Sequence, residues 1–426
     1  MLSLQDTGFF IPIIILLGIA SLTSILISVF KLRFLPVFAV EIIIGILISA
    51  WFNKFIVEQN LVGIVDGIYV LGLSMLMFFS GYEVEFDAFR DFELNEQNDC
   101  KTCKHRRCRR CKHINTFKTV IKITIYTYLA SIVVSVLFSP FMEENKVIGV
   151  ILLTLLFAST FAGFVVPILF NEGLHGTIIG NILSAIANLS EALSILFLTI
   201  LMIAIDIDPK YWLILLTIGI FLIIFRFFKK MKVGKYFGKL TGGIDHLATR
   251  VIIVLILLLV FLSDLSGGEY IFGAFIAGII VRQALFSEKI IHGISQIIYG
   301  VFTPMFYIIV GTKINVIELF SELSSIYLVL MIFFGLLICE VPMFILLKWY
   351  KLNTVLPSIV LMACTVVVPI AITHIGGPHG LGIFSEQFSN CLILASLLVC
   401  IIGSVIFNLN FPFGNYRNQE KEVSAE

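Results

Sequence analysis

A series of long apolar runs constrains the fold of this chain more than any other feature. Each run has about 17–25 residues with almost no charge, which is the length that crosses a bilayer as an α-helix. Lipid offers no hydrogen-bond partner, and a helix satisfies its backbone N–H and C=O groups internally. The mean hydropathy of +1.05 and the charged fraction of 13% agree with this assignment. The sequence therefore predicts an all-α polytopic membrane protein and excludes a soluble globular one.

Thirteen runs have the length and composition of a membrane span. The tenth is the shortest and contains Pro304, which interrupts a regular helix. The thirteen runs lie at 9–30, 35–52, 62–82, 117–140, 147–170, 177–205, 210–228, 247–264, 269–286, 297–312, 323–347, 355–376 and 388–410.

Lys and Arg residues are distributed unequally between the two sides of these spans. With the N-terminus outside, the inner side holds 25 of the 29 Lys and Arg residues. The outer side keeps four of them: Lys54, Lys146, Lys210 and Lys313. Because cytoplasmic loops carry an excess of basic residues, we expect an outside N-terminus and a cytoplasmic C-terminus in the cell membrane.

Two predicted spans contain similar sequences, "GFVVPIL" at 163–169 and "TVVVPIA" at 365–371. Pro167 and Pro369 each remove an intrahelical hydrogen bond, so we expect a kink or break at each proline. The predicted topology makes the two spans antiparallel, which indicates inverted repeats over spans 4–6 and 11–13. Interrupted helices at matching places in two inverted halves point to a transporter's binding site. Coincidence in a Val-rich chain is the alternative.

The sixth span carries polar residues in an otherwise apolar run. Four of them lie on one helix face, because their spacings are 4, 3 and 3: Ser184, Asn188, Glu191 and Ser194. An ionised Glu191 at bilayer depth is costly, so it faces a cavity, holds a proton or binds a cation. A proton and a cation compete for one carboxylate, which favours proton-coupled cation exchange. The alternative is a neutral glutamate that joins two helices.

Several further segments, together with the fifth span, resemble the monovalent cation:proton antiporter-2 family over about residues 10–410. The segments are "LPVFAVEIIIGILIS" (35–49), "LGLSMLMFFSGYEVEFD" (71–87), "ASTFAGFVVPIL" (158–169), "FTPMFYIIVGTKIN" (302–315) and "GIFSEQF" (382–388). Members of this family exchange sodium or potassium ions for protons.

The resemblance implies an architecture and a mechanism. Two inverted three-helix repeats form a core in which two broken helices cross at the midplane, and the core moves like an elevator against a dimerisation scaffold. The implied division is 1–82 scaffold, 83–116 cytoplasmic loop, 117–205 first core repeat, 206–312 linker and scaffold, 313–410 second core repeat, and 411–426 cytoplasmic tail. We therefore expect a homodimer.

The resemblance also implies an ion site, and this chain departs from the family there. The family has an Asp-Asp or Asn-Asp pair where this chain has Ser190 and Glu191. We expect Glu191 to bind the proton or cation, with Ser190, Thr160 and Asn188 as ligands or hydrogen-bond partners. A single carboxylate predicts electroneutral exchange.

Two other acidic residues bear on this site. Glu340 takes the place where many electrogenic members have a lysine. It is a further candidate for the ion or proton site. In that case two protons could exchange for two positive charges. The alternative is that Glu340 only partners a helix end. Glu83, at the cytoplasmic end of the third span, is expected to be a solvated or capping group.

The loop after the third span contains "CKTCKHRRCRRCKH" at 100–113. Its two Cys-x-x-Cys pairs suit a regulatory zinc site, and the ligands would be Cys100, Cys103, Cys108 and Cys111. The alternative is a basic loop that contacts anionic lipid.

The sequence therefore predicts a secondary cation:proton antiporter that requires no cofactor and is not an enzyme. Its expected partners are protons, small cations and lipid, and not nucleic acid. The alternative function is a transporter-derived sensor or gated cation channel regulated through the Cys cluster.

Overall fold

The structure is a computed structural model that describes most of the predicted spans. The described residues are 10–29, 37–83, 116–143, 145–174, 177–205, 226, 245–265, 270–284, 288–314, 323–348, 350–378 and 380–410. The predicted Cys cluster and the C-terminal tail lie outside them, as does nearly all of the predicted seventh span.

The described residues form α-helices joined by short connections. The helices are α1 (Phe10–Val29), α2 (Val37–Glu58), α3 (Val62–Glu83), α4 (Thr116–Leu137), α5 (Lys146–Ala158), α6 (Ala162–Asn171), α7 (Ile178–Ile205), α8 (Asp245–Leu265), α9 (Tyr270–Gln283), α10 (Glu288–Ile297), α11 (Thr303–Lys313), α12 (Leu323–Cys339), α13 (Leu352–Met362), α14 (Val367–Gly376) and α15 (Glu386–Asn410).

The all-α membrane architecture is confirmed. Eleven helical segments are long and apolar enough to cross a membrane, and the shorter apolar helix α9 coincides with the predicted ninth span. Twelve of the thirteen predicted spans thus correspond to described helices. The count of thirteen is not confirmed, because the predicted seventh span falls outside the described part of the chain.

The tenth span is longer than the sequence predicted. It runs continuously over Lys289–Lys313 and passes Pro304 without a break. A π-helical turn at Ile298–Phe302 joins α10 to α11 immediately before the proline. The wider turn accommodates the missing N–H of proline within a continuous span.

The fifth and twelfth spans are broken, but the prediction that they break at their prolines was wrong. Residues 159–161 separate α5 from α6, and residues 363–366 separate α13 from α14. Pro167 lies inside α6. Pro369 lies in the first turn of α14, where the backbone N–H groups have no intrahelical partner.

The helices pack in two groups, α1–α3 with α8–α11 and α4–α7 with α12–α15. Close backbone approach at glycines joins helices within the first group. A Cβ atom at Gly45 of α2 would clash with the carbonyl oxygen of Ile308 in α11, and one at Gly81 of α3 would clash with that of Phe275 in α9. Helix α3 also contacts α6 and α7, and it therefore links the two groups.

Candidate functional site

The breaks in the fifth and twelfth spans cross each other, as predicted. The Thr160 hydroxyl donates to the Met362 carbonyl at 2.8 Å. The backbone N–H of Phe161 donates to the Cys364 carbonyl at 2.9 Å. These bonds satisfy backbone groups that the helix ends leave unpaired, so each break stabilises the other.

Glu191 lies beside this crossing, at the beginning of α6. Its Oε2 accepts hydrogen bonds from the backbone N–H of Ala162 at 2.9 Å and from the Ser80 hydroxyl at 2.7 Å. Ala162 is the first residue of α6, so the carboxyl group faces the positive end of a helix dipole. Only 1% of Glu191 is exposed, and its Oε1 has no hydrogen-bond partner within the described residues.

Two buried residues of α7 close to Glu191 in sequence carry further oxygen atoms without a partner. The Ser190 hydroxyl and the Asn188 side-chain carbonyl are buried and have no partner among the residues that the structure describes. Ser194, on the same face, instead shares a hydrogen bond of 2.8 Å with Tyr128 and donates to the Leu155 carbonyl. Ser194 therefore has a packing role, whereas the Ser190 hydroxyl, the Asn188 carbonyl and Glu191 Oε1 are unpaired among the described residues.

This set of oxygens suits a proton or a hard cation. An ionised carboxylate is not stable when it is buried without compensation. The ion pairs found in the described segments are Lys54–Glu58 and Lys313–Asp66, and neither contacts Glu191. Oxygen ligands are those that hard cations prefer, and a proton on the carboxyl group satisfies the same requirement.

Thr160 lies within the crossing, where its hydroxyl already donates to Met362. Its oxygen lone pairs remain available to a ligand. Two elements thus form the site. Helix α7 carries Asn188, Ser190 and Glu191, and the break in the fifth span carries Thr160. Their roles in binding remain predictions.

Glu340 forms no hydrogen bond with Glu191 among the described residues. It is buried and follows the end of α12, next to Cys339. It lies within electrostatic range of Cys364, whose carbonyl takes part in the crossing of the two breaks. Its inclusion in one site with Glu191 stays a prediction.

Ser80 and Glu83 of α3 are functional candidates that the sequence analysis missed or undervalued. Ser80 bonds directly to Glu191, and Glu83 lies one helical turn further along α3. One oxygen of Glu83 is buried without a partner in the described part of the chain, so Glu83 is not fully solvated. The three-residue spacing of Ser80 and Glu83 on an apolar span was the available signal.

A cavity of about 460 Å³ opens next to this end of α3. Its lining includes Tyr82, Lys289, His292 and Ser295. Tyr82 directly precedes Glu83 in α3, so the cavity lies at the same end of this helix as Glu83.

Comparisons with known proteins show the family of this chain. A family model described as "Sodium/hydrogen exchanger, transmembrane" matches residues 17–409. The curated protein "Putative Na(+)/H(+) antiporter YjbQ" of Bacillus subtilis (strain 168) is 27% identical over 414 residues, or 97% of this chain. The chain spans 65% of the length of that relative.

A solved structure shares the fold. The sodium proton antiporter MjNhaP1 from Methanocaldococcus jannaschii superposes with a TM-score of 0.54 at 13% sequence identity. The match covers 95% of this chain and 97% of that chain.

Proposed function

This chain belongs to the sodium/hydrogen exchanger family, and we propose that it exchanges a sodium or potassium ion for a proton across the cell membrane. The resemblance to cation:proton antiporters is thereby confirmed at the level of the family. The family consists of transporters rather than enzymes.

Glu191 is the proposed acceptor of both the proton and the cation. The observation that carries this proposal is its buried carboxyl group, which has one free oxygen and forms none of the ion pairs of the described segments. The neutral acid and the cation-bound carboxylate both avoid an isolated buried charge, whereas the empty carboxylate does not. The site therefore crosses the membrane only when it is loaded, and this requirement couples the two fluxes.

The two helix groups support an elevator-type movement. In this proposal α1–α3 and α8–α11 form the scaffold, and α4–α7 with α12–α15 form the core. Ser80 belongs to the scaffold and Glu191 to the core, so the site lies at their interface. Ser80 lies three residues from the Glu83 end of α3, which is the cytoplasmic end in the predicted topology.

Electroneutral exchange follows from the same site. One carboxyl group releases one proton when it binds one monovalent cation, so the loaded core carries the same charge in both directions. We further propose that the scaffold forms a homodimer, as the resemblance to the antiporter family implies.

Proteoliposomes containing a pH-sensitive dye test the proposal. Addition of sodium or potassium ions should move protons through the wild-type protein, and Glu191→Gln should abolish this movement. Asp264→Asn, which changes an acidic residue near the end of α8, serves as the matched control and should retain it. Proton movement that persists in Glu191→Gln contradicts the proposal, and conductive cation flux without proton movement indicates a channel.

A further inference from the structure

A second buried polar zone lies on α4. Four hydroxyl residues spaced by 3, 4 and 4 share one face of this helix: Thr124, Thr127, Ser131 and Ser135. All four are at most 2% exposed. Their hydroxyl oxygens have no hydrogen-bond partner among the described residues, except that the weakly polar Cys339 thiol lies beside Ser131.

Many helical hydroxyl groups of the described residues donate to the carbonyl four residues earlier, as they do at Thr23, Thr154, Thr199, Ser358 and Ser396. Single buried hydroxyls without a partner occur at Ser74, Ser190, Thr303 and Ser389, whereas α4 carries four of them on one face. A buried hydroxyl without a partner is unfavourable, and water or another polar group normally satisfies it. The four groups form one continuous hydroxyl stripe along α4.

Glu340 lies at the level of this stripe. Gly335 of α12 packs against Val134, and the Cys339 thiol lies beside Ser131, so α12 runs antiparallel to α4. This register places Glu340 level with the Thr127–Ser131 turn. Only 1% of Glu340 is exposed, and its Oε2 has no partner in the described segments.

No described charged group compensates Glu340. The titratable groups that face it are the thiols of Cys339 and Cys364, and Cys364 lies against Cys400. The basic residues of the elements packed around Glu340 lie toward the ends of those elements, and they are Lys118, Lys122, Lys348 and Lys351. A buried carboxylate without a cationic partner is unstable, so Glu340 binds a proton.

We propose that Glu340 and the hydroxyl stripe of α4 form a second proton-binding site, separate from Glu191, and that the core moves only when Glu340 carries its proton. This inference rests on the proposed antiport function. A core that crosses the membrane with an ionised Glu340 would carry an uncompensated charge, whichever ion Glu191 holds. The hydroxyl stripe of α4 supplies the route by which the proton reaches and leaves Glu340.

Self-exchange of radiolabelled sodium in proteoliposomes tests this inference. Self-exchange replaces one sodium ion by another and requires no proton turnover at Glu191. If Glu340 must be protonated, the wild-type rate falls about tenfold per pH unit on the alkaline side, since one proton is lost. Glu340→Gln should remove this alkaline fall, and Glu340→Asp should retain it.

Three outcomes overturn the inference. The first is a wild-type exchange rate that does not fall at alkaline pH, and the second is an identical fall in Glu340→Gln. The third is a Glu340→Gln protein that binds sodium but does not exchange it. If Glu340→Gln does not fold, Thr127→Val provides a second measurement. Loss of this hydroxyl disfavours the ionised carboxyl group, so the alkaline fall should move to higher pH, and an unmoved fall contradicts the proposal. Normal self-exchange in Glu191→Gln instead contradicts the antiport function itself.

Discussion

The Ser80 hydroxyl of α3 donates a 2.7 Å hydrogen bond to the carboxyl group of Glu191 in α7, across the interface between the two helix groups. The two residues are 111 positions apart in the sequence. In an elevator-type movement this bond breaks each time the core leaves its present position. Under the proposed mechanism it connects the occupancy of the site with the position of the core.

Ser80→Ala removes this interfacial bond. A hydrogen bond to a charged group contributes about 1.5–3 kcal/mol, so the core should leave the present state more readily. We expect a several-fold change in turnover at saturating sodium, measured as sodium-dependent proton movement. Ser74→Ala is the matched control, because Ser74 is also buried in α3 but has no partner among the described residues. Equal effects of the two substitutions would argue against the connection.

Ser190→Ala and Asn188→Ala each remove one unpaired oxygen from the site. If these oxygens bind the cation, each variant should raise the KM for sodium about tenfold, which corresponds to about 1.4 kcal/mol. Ser194→Ala is the control on the same helix, since its hydroxyl is engaged by Tyr128 and Leu155. It should lower thermal stability instead. An unchanged KM in both variants shows that neither oxygen is a ligand.

Gly45→Ala places a methyl group against the Ile308 carbonyl of α11. Overpacking of this kind costs about 1–3 kcal/mol, so the melting temperature in detergent should fall. Gly67→Ala in α3 provides the control, because no atom lies within 4 Å of the added Cβ. It should leave stability the same or raise it. Equal melting temperatures would show that close backbone approach does not join α2 to α11.

Glu172 lies in the connection between α6 and α7, outside the membrane spans. Burial raises its pKa from 4.5 to about 6. The folded state therefore favours the protonated acid. The stabilisation that comes from this protonation is present below pH 4.5 and is lost as the pH rises through about 6. Because Glu172 is only partly buried, solvent screening keeps the effect small. Thermal unfolding across this range should show less pH dependence in Glu172→Gln, and identical profiles would contradict the assignment.

The spans and the Glu191 face could be predicted from the sequence because both are local patterns. Apolar length specifies a membrane helix, and the spacing of Asn188 and Glu191 places them on one face of it. The family resemblance added the crossing of the two broken helices, which the structure bears out through the bonds of Thr160 and Phe161.

Contacts between distant segments could not be predicted in this way. The breaks precede Pro167 and Pro369, because hydrogen bonds between the two breaks stabilise the non-helical residues. The Ser80 contact joins two different spans, and no periodicity within either span indicates it.

The central claim is that a proton and a cation compete for the single carboxyl group of Glu191. The pH dependence of the KM for sodium tests it most directly, measured in proteoliposomes with equal pH on both sides. Competition predicts that the KM rises about tenfold for each unit by which the pH falls on the acid side, with no change in maximal rate. A KM that does not depend on pH would contradict the claim.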